Sequence, residues 1–384
     1  MMDNTTALYI HIPFCVRKCL YCAFTSTDKV PGDTGGYVDL LLREMELRAD
    51  ALAVPLRAAT LYMGGGTPSL LDPPLVGNII DCAVRTFNLD LSAEVTLEAN
   101  PGTVTAASLA GYRTAGVNRL SLGIQSFDDR MLASLGRIHT ALEGREAFAL
   151  ARRAGFDNVG IDLIHGLPGQ DCDHWREQLL AAVELRPNHI STYGLTVEEG
   201  TPFALLEAEG GLPLPDEDDA AAMFEDIADV LVAAGYEHYE IANFALPGSR
   251  SRHNQVYWKR GNYLGFGAGA HSFLREPRPG ARWRNPDDIG EYGGSLASGV
   301  LPETDRISLS EKDAMAEWFF LGLRMLEGVE EEHFRAEFGV SPADVYGSQF
   351  QRLCASGLLI REGGRLRLSR RGVILSNRVF AAFL

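Results

Sequence analysis

The chain has 384 residues, 46% of them hydrophobic and 22% charged, with a formal net charge of −16. That length accommodates a large barrel-like domain and a small companion, and the mixture is that of a water-soluble globular protein with no apolar run long enough to span a bilayer. An acid excess of this size is repelled by a nucleic-acid backbone, so no nucleic-acid partner is expected and a membrane is expected to see peripheral contact at most.

The opening MMDNTTALYIHIPF has an acidic residue and no positive stretch ahead of its apolar run, unlike a secretory signal, and a cytoplasmic location is expected. Apolar runs bounded by turn residues predict a first strand over 7–12. Directly behind it stand Cys15, Cys19 and Cys22, while the other three of the six cysteines, Cys82, Cys172 and Cys354, lie far apart. That asymmetry points to a metal site rather than a disulfide framework. Helical spacing follows over 37–52. A second strand over 58–63 runs into MGGGTP, a third over 93–98 ends on Glu98, and a fourth over 118–124 leads into Gln125. A helix over 143–154, a fifth strand over 158–164 carrying Asp162, a helix over 174–185 and a sixth strand over 188–193 complete the series. Six serial strand–helix units predict an α/β fold with a parallel sheet, specifically a partial six-stranded (β/α) barrel over residues 1–235. An open doubly wound sheet satisfies the same periodicity.

Beyond residue 200 the connector EAEGGLPLPDEDD and a helix near 217–234 end the repeat. Residues 236–304 are rich in glycine, aromatics and asparagine, which suits a β-rich extension of short strands and loops covering a site. From 305 onward, helical stretches precede GLLIREGGRLRLSRRG, a hairpin turning at its glycine pair. This is the pattern of a small winged-helix-like domain, expected to pack on the barrel or on a partner protein.

Thiols at i, i+4 and i+7 bring three soft ligands to one small volume, which suits zinc or an iron–sulfur cluster. Structural zinc takes four ligands, and the fourth candidate nearby is His11. A [4Fe–4S] cluster held by three thiolates keeps one iron open for another molecule. Polar residues also gather at the ends of the other strands, where β/α barrels build their sites. Taken singly, each has an ordinary explanation: a tight turn for glycines 64 to 66, a surface carboxylate for Glu98, a turn for Gln125, a helix cap for Asp162.

The C-x3-C-x2-C spacing with an aromatic, Tyr21, before its last cysteine resembles the signature of the radical S-adenosylmethionine superfamily. The resemblance implies that Cys15, Cys19 and Cys22 hold a [4Fe–4S] cluster and that S-adenosylmethionine chelates the open iron. An electron from a reductant then cleaves a C–S bond to give a 5′-deoxyadenosyl radical. Over nearly the whole chain the sequence resembles the group containing oxygen-independent coproporphyrinogen III oxidase. That group implies Tyr9 beside the cluster, Gly65, Gly66 and Thr67 against the methionine part of the cofactor, and Glu98, Gln125, Arg137 and Asp162 on its remaining polar atoms.

Two departures separate the chain from the oxidase: Phe24 stands where a further cysteine is usual, and eight residues rather than a longer arm precede Tyr9. They direct the resemblance to the heme chaperone branch, the HemW type, whose members lack the oxidase activity, so no catalytic residue is assigned. That branch carries H-N-x-x-Y-W, matched by His253, Asn254, Gln255, Val256, Tyr257 and Trp258. It implies heme as ligand, His253 as the residue that takes it, and an acceptor hemoprotein as partner. In a helix His253 and Tyr257 share a face. A neutral imidazole suits heme iron, the two aromatics suit the macrocycle, and Arg252, Lys259 and Arg260 suit its propionates. Read without the resemblance, His253 and Asn254 hydrogen-bond a loop and Trp258 fills core. The glycines of YLGFGAGAHSF (263–273) turn the chain, and His271 is given no ligand role.

Overall fold

The computed structural model describes residues 5–30, 32–90 and 92–384. The first half alternates strand and helix: β1 (Thr5–Ile12), α1 (Gly35–Ala51), β2 (Arg57–Gly65), α2 (Pro73–Phe87), β3 (Glu94–Ala99), α3 (Ala106–Ala115), β4 (Arg119–Gln125), α4 (Asp129–Ser134), α5 (Ala141–Arg153), β5 (Asn158–His165), α6 (Cys172–Leu185) and β6 (His189–Gly194). Helix starts follow the local chemistry. Thr105 and Thr140 each close a capping box with the residue three places on, Ser108 and Glu143, and Asp171 caps α6. Gly116, at φ +112, ends α3 in the left-handed region.

All six strands are parallel and neighbours in space in their sequence order. A doubly wound sheet reverses that order part-way, so the partial barrel is the arrangement present. Successive side chains alternate between the two faces of each strand. Leu61 and Met63, Val95 and Leu97, Leu120 and Leu122, Ile161 and Leu163 pack in the main core. The alternate positions, Tyr62, Glu98, Arg119, Ser121, Gly123, Gln125, Asp162, His189, Ser191 and Tyr193, line one continuous cavity inside the barrel.

The chain continues through α7 (Pro202–Ala208), α8 (Glu217–Ala233), β7 (Glu237–Glu240), β8 (Asn243–Ala245), α9 (Arg252–Trp258), β9 (Asn262–Phe266), β10 (His271–Leu274), β11 (Ala281–Arg284), α10 (Ile289–Ala297) and β12 (Thr304–Ser308). These strands extend the barrel sheet at both edges, giving the order β12-β11-β10-β9-β1-β2-β3-β4-β5-β6-β8-β7. Strand β9 runs parallel to β1, with Tyr9 opposite Gly265, whereas β8 runs antiparallel to β6. Residues 237–308 therefore widen the sheet itself. Trp283, Tyr292 and Leu296 join the same core as Leu8 and Ile10.

The C-terminal part holds α11 (Glu311–Gly322), β13 (Val329–Glu330), α12 (Glu331–Phe338), α13 (Pro342–Ala355), β14 (Leu359–Glu362), β15 (Arg365–Leu368), α14 (Arg370–Ile374) and α15 (Ser376–Phe380). Strands β14 and β15 form the hairpin around Gly363 and Gly364, both at positive φ. Its aromatic core is separate from the barrel's, with Phe319 stacked on Phe383 at 4.7 Å and edge-on to Tyr346 and Phe350. Among the described residues no helix is long and apolar enough to cross a membrane.

Candidate functional site

Strand β1 delivers the cysteine loop. Beyond its end Phe14 bridges Thr27 in parallel, the Cys15 amide donates to the Thr27 carbonyl (2.9 Å) and the Thr27 amide to the Pro13 carbonyl (2.7 Å), which closes the loop on itself. The Leu20 amide donates to Leu135 at the end of α4, fixing the far side (3.1 Å). Cys15, Cys19 and Cys22 are free, half-buried thiols lining the barrel cavity, whose volume is about 470 Å³. Thr67 Oγ1 donates to Cys15 Sγ (3.7 Å) and Arg137 Nη1 to Cys19 Sγ (3.4 Å). Burial pushes the Cys15 and Cys22 thiols up, and the neighbouring cysteines add to it.

Among the described residues no three His, Cys, Asp or Glu side chains close on a single metal ion. Three thiols around a wider cavity suit a polynuclear cluster, in which each thiolate takes a different iron. The zinc alternative completed by His11 fails on its fourth ligand, because His11 Nε2 meets the Thr25 carbonyl (2.7 Å) and Nδ1 meets the Tyr9 hydroxyl (3.1 Å).

The glycine turn at the end of β2 is built for close approach. Gly65 has φ +110, and a Cβ there would lie 2.5 Å from the His11 ring, while one on Gly66 would lie 2.7 Å from the Phe14 carbonyl. The Gly65 amide donates to Glu98 (3.2 Å), Gly66 to Ile12 (2.8 Å) and Thr67 to Phe14 (2.7 Å). The loop and Glu98 thus consume these amides, and the turn has carbonyl oxygens to offer an ammonium group.

Glu98, Gln125, Arg137 and Asp162 converge on the same cavity. Burial pushes the Glu98 carboxyl up to about 7, opposed by the Tyr62 hydroxyl (2.7 Å) and reinforced by Asp162. Burial also raises Asp162, opposed by Ser191, Arg119 and Ser121. Gln125 sits in the left-handed region at φ +66, and among the described residues its buried Oε1 has no hydrogen-bond partner, nor has Arg137 Nε. A non-glycine residue held there with an unsatisfied buried acceptor is what a ligand-facing side chain looks like. These residues fit a polar cofactor at an open iron. Tyr9 is not among the lining residues. Its ring stacks on Tyr62 at 6.3 Å and its hydroxyl holds His11 beneath the loop.

The HNQVYW segment is helical, as α9, with its amino end held by Glu94, which accepts from the Arg252 and His253 amides (both 3.0 Å). His253 is 1% exposed, with Nδ1 on Thr60 Oγ1 and Nε2 on the Tyr257 hydroxyl, both 2.8 Å. Burial, with Arg119 adding to it, drops its pKa to about 3, so the ring is neutral. The expectation of an imidazole open to iron is corrected accordingly: neither nitrogen is free as the ring stands, and Asn254 rather than His253 reaches the cavity. Arg260 is likewise no free partner for propionates, being 4% exposed and paired with Glu317 (3.0 Å) and Glu337 (3.3 Å). Trp258 lies under the Arg324 guanidinium at 4.2 Å.

Arg119 and His189, not expected from the sequence, line the same cavity. Arg119, Ser121, Gly123 and Gln125 alternate along a strand that, in a parallel sheet covered on both faces, would be apolar throughout, which marks a polar inner face but not the burial of Arg119.

Likeness to known proteins extends over nearly the whole chain. Residues 9–181 match the radical SAM superfamily model and 309–375 the HemN C-terminal domain model. The heme chaperone HemW of Escherichia coli is 37% identical over 98% of both chains, and that of Lactococcus lactis 35% identical over 100% of this chain and 98% of its own. The chain belongs to the HemW family of radical SAM proteins. The mitochondrial radical S-adenosyl methionine domain-containing protein 1 of Bos taurus is a further relative of this chain, at 34% identity over 100% of it and 88% of its own length. In fold, the chain superimposes on the coproporphyrinogen III oxidase HemN of Escherichia coli with a TM-score of 0.85, at 21% identity over 99% and 90% of the two chains.

Proposed function

We propose that this protein is a heme chaperone that carries a [4Fe–4S] cluster on Cys15, Cys19 and Cys22, binds S-adenosylmethionine beside it, and passes heme to an acceptor hemoprotein. The observation that carries the reading is end-to-end likeness to proteins named heme chaperone, joined to a cavity that keeps three thiols, Glu98, Gln125, Arg137 and Asp162 together. Gly65, Gly66 and Thr67 flank the methionine part of the cofactor in this reading. Phe24, 68% exposed on the cysteine loop, occupies the place of the oxidase's extra cysteine.

His253 is the proposed heme ligand, and it reaches iron only after the Tyr257 hydroxyl leaves Nε2. Purified protein with hemin is expected to develop a Soret band and to lose most of it in His253→Ala. Heme-loaded protein is expected to convert an apo-hemoprotein to its holo form; an acceptor that stays apo would overturn the chaperone reading. The second reading, oxygen-independent coproporphyrinogen III oxidase, is favoured by the intact cofactor cavity. Anaerobic turnover of coproporphyrinogen III by cluster-loaded protein would establish it, and intact substrate excludes it.

A further inference from the structure

Tyr62 occupies the middle of the barrel interior, and each side of it is tied to a different motif. Its hydroxyl donates to Glu98 Oε1 at 2.7 Å, while the Gly65 amide donates to Oε2 at 3.2 Å. An ionised carboxylate has about four lone-pair directions, so two remain for a ligand in the cavity. The Tyr62 ring is stacked on His253 at 5.0 Å, with 30° between the planes. His253 is itself held at three points: Thr60 and Tyr257 take its ring nitrogens and Glu94 its amide. An unbroken series of contacts therefore runs from α9 through Tyr62 to Glu98 and the glycine turn.

We propose that Tyr62 and His253 are positioning residues for Glu98, so that the HNQVYW helix sets the geometry of the S-adenosylmethionine pocket. This rests on the reading that Glu98 faces that cofactor. An aromatic that merely filled space would need no hydroxyl, whereas this one bonds a carboxylate in a low-dielectric cavity and favours its ionised, accepting form. The other groups facing Glu98 are Asp162 and Arg119, with Tyr193, Tyr9 and Tyr257 farther off. All of them stay in place when the Tyr62 hydroxyl is removed.

The test is the affinity of cluster-loaded protein for S-adenosylmethionine, measured by equilibrium dialysis across a pH series. In the unaltered protein affinity is expected to fall as pH drops through about 7, where Glu98 gains its proton. Tyr62→Phe is expected to weaken binding by about tenfold at neutral pH and to move that midpoint upward by about one pH unit, since the lost hydroxyl had stabilised the carboxylate. His253→Phe keeps a ring against Tyr62 but loses both nitrogen hydrogen bonds, and is expected to weaken binding by about threefold. If Glu98→Gln weakens binding while Tyr62→Phe changes neither affinity nor midpoint, the positioning role is overturned. If Glu98→Gln also binds normally, the assignment of Glu98 to the cofactor falls, and the positioning role with it. Should Tyr62→Phe fail to take up the cluster, Thr60→Val removes the support of His253 and is read by the same criteria.

Discussion

Gly65 shows how little latitude a single residue has at this site. Its positive φ and the His11 ring 2.5 Å from any added Cβ both select against a side chain. Gly65→Ala is expected to cost about 1–3 kcal/mol of stability, read from urea denaturation, and to abolish S-adenosylmethionine binding. Serine at Cys15, Cys19 or Cys22 is expected to remove the visible absorbance of the reconstituted cluster, and Cys354→Ser to leave it intact, since Cys354 lies in the separate C-terminal core. Residues of this kind were readable in the sequence because their chemistry is local, as three thiols within eight positions or three glycines after a strand. Arg119 was not, because one arginine ahead of LSLGI looks like a solvated strand end. What buries it is the closing of five other strands around it, which no local pattern contains.

At the level of elements, the six barrel strands fall within about two residues of their predicted limits, since apolar runs between turn residues define them without help from elsewhere. The extension was harder to read. Strand β9 pairs with β1 across some 250 positions, with Thr6 opposite Asn262, and such partners are invisible to periodicity. Helix α9 is seven residues long and depends on its surroundings, chiefly on Glu94 at its first amides. Glu94→Ala is expected to cost about 1–2 kcal/mol in denaturation experiments. Tyr257→Phe releases His253 Nε2, and if that nitrogen takes heme iron, hemin affinity is expected to rise several-fold; unchanged affinity would place heme elsewhere. Heme captured at His253 would also disturb the Tyr62 stack, and linkage then requires hemin and S-adenosylmethionine to alter each other's affinity by one common factor.

Across the whole molecule, Glu44 of α1 ties the extension to the barrel, accepting from the Gly267 amide (2.9 Å), Asn285 Nδ2 (2.7 Å) and the Tyr292 hydroxyl (2.7 Å). Burial pushes this carboxyl up to about 7. The folded state then keeps a proton that the unfolded chain releases near pH 4.5, so stability is full at low pH and falls as pH rises through about 7. The full loss is about 3 kcal/mol. Urea midpoints taken at pH 5 and at pH 8 are expected to show that decline and Glu44→Gln to flatten it. The same wholeness bears on α9. Glu94 holds its front and, through Arg260, Glu317 and Glu337 hold its rear, so it is lashed down fore and aft by charged groups. Swinging it outward as a rigid rod would strand buried charges, which is the most expensive route available. The motion left is the rotation of one phenol about its χ1 bond. If His253 takes a ligand, the step that admits it would then be a side-chain flip rather than a domain opening.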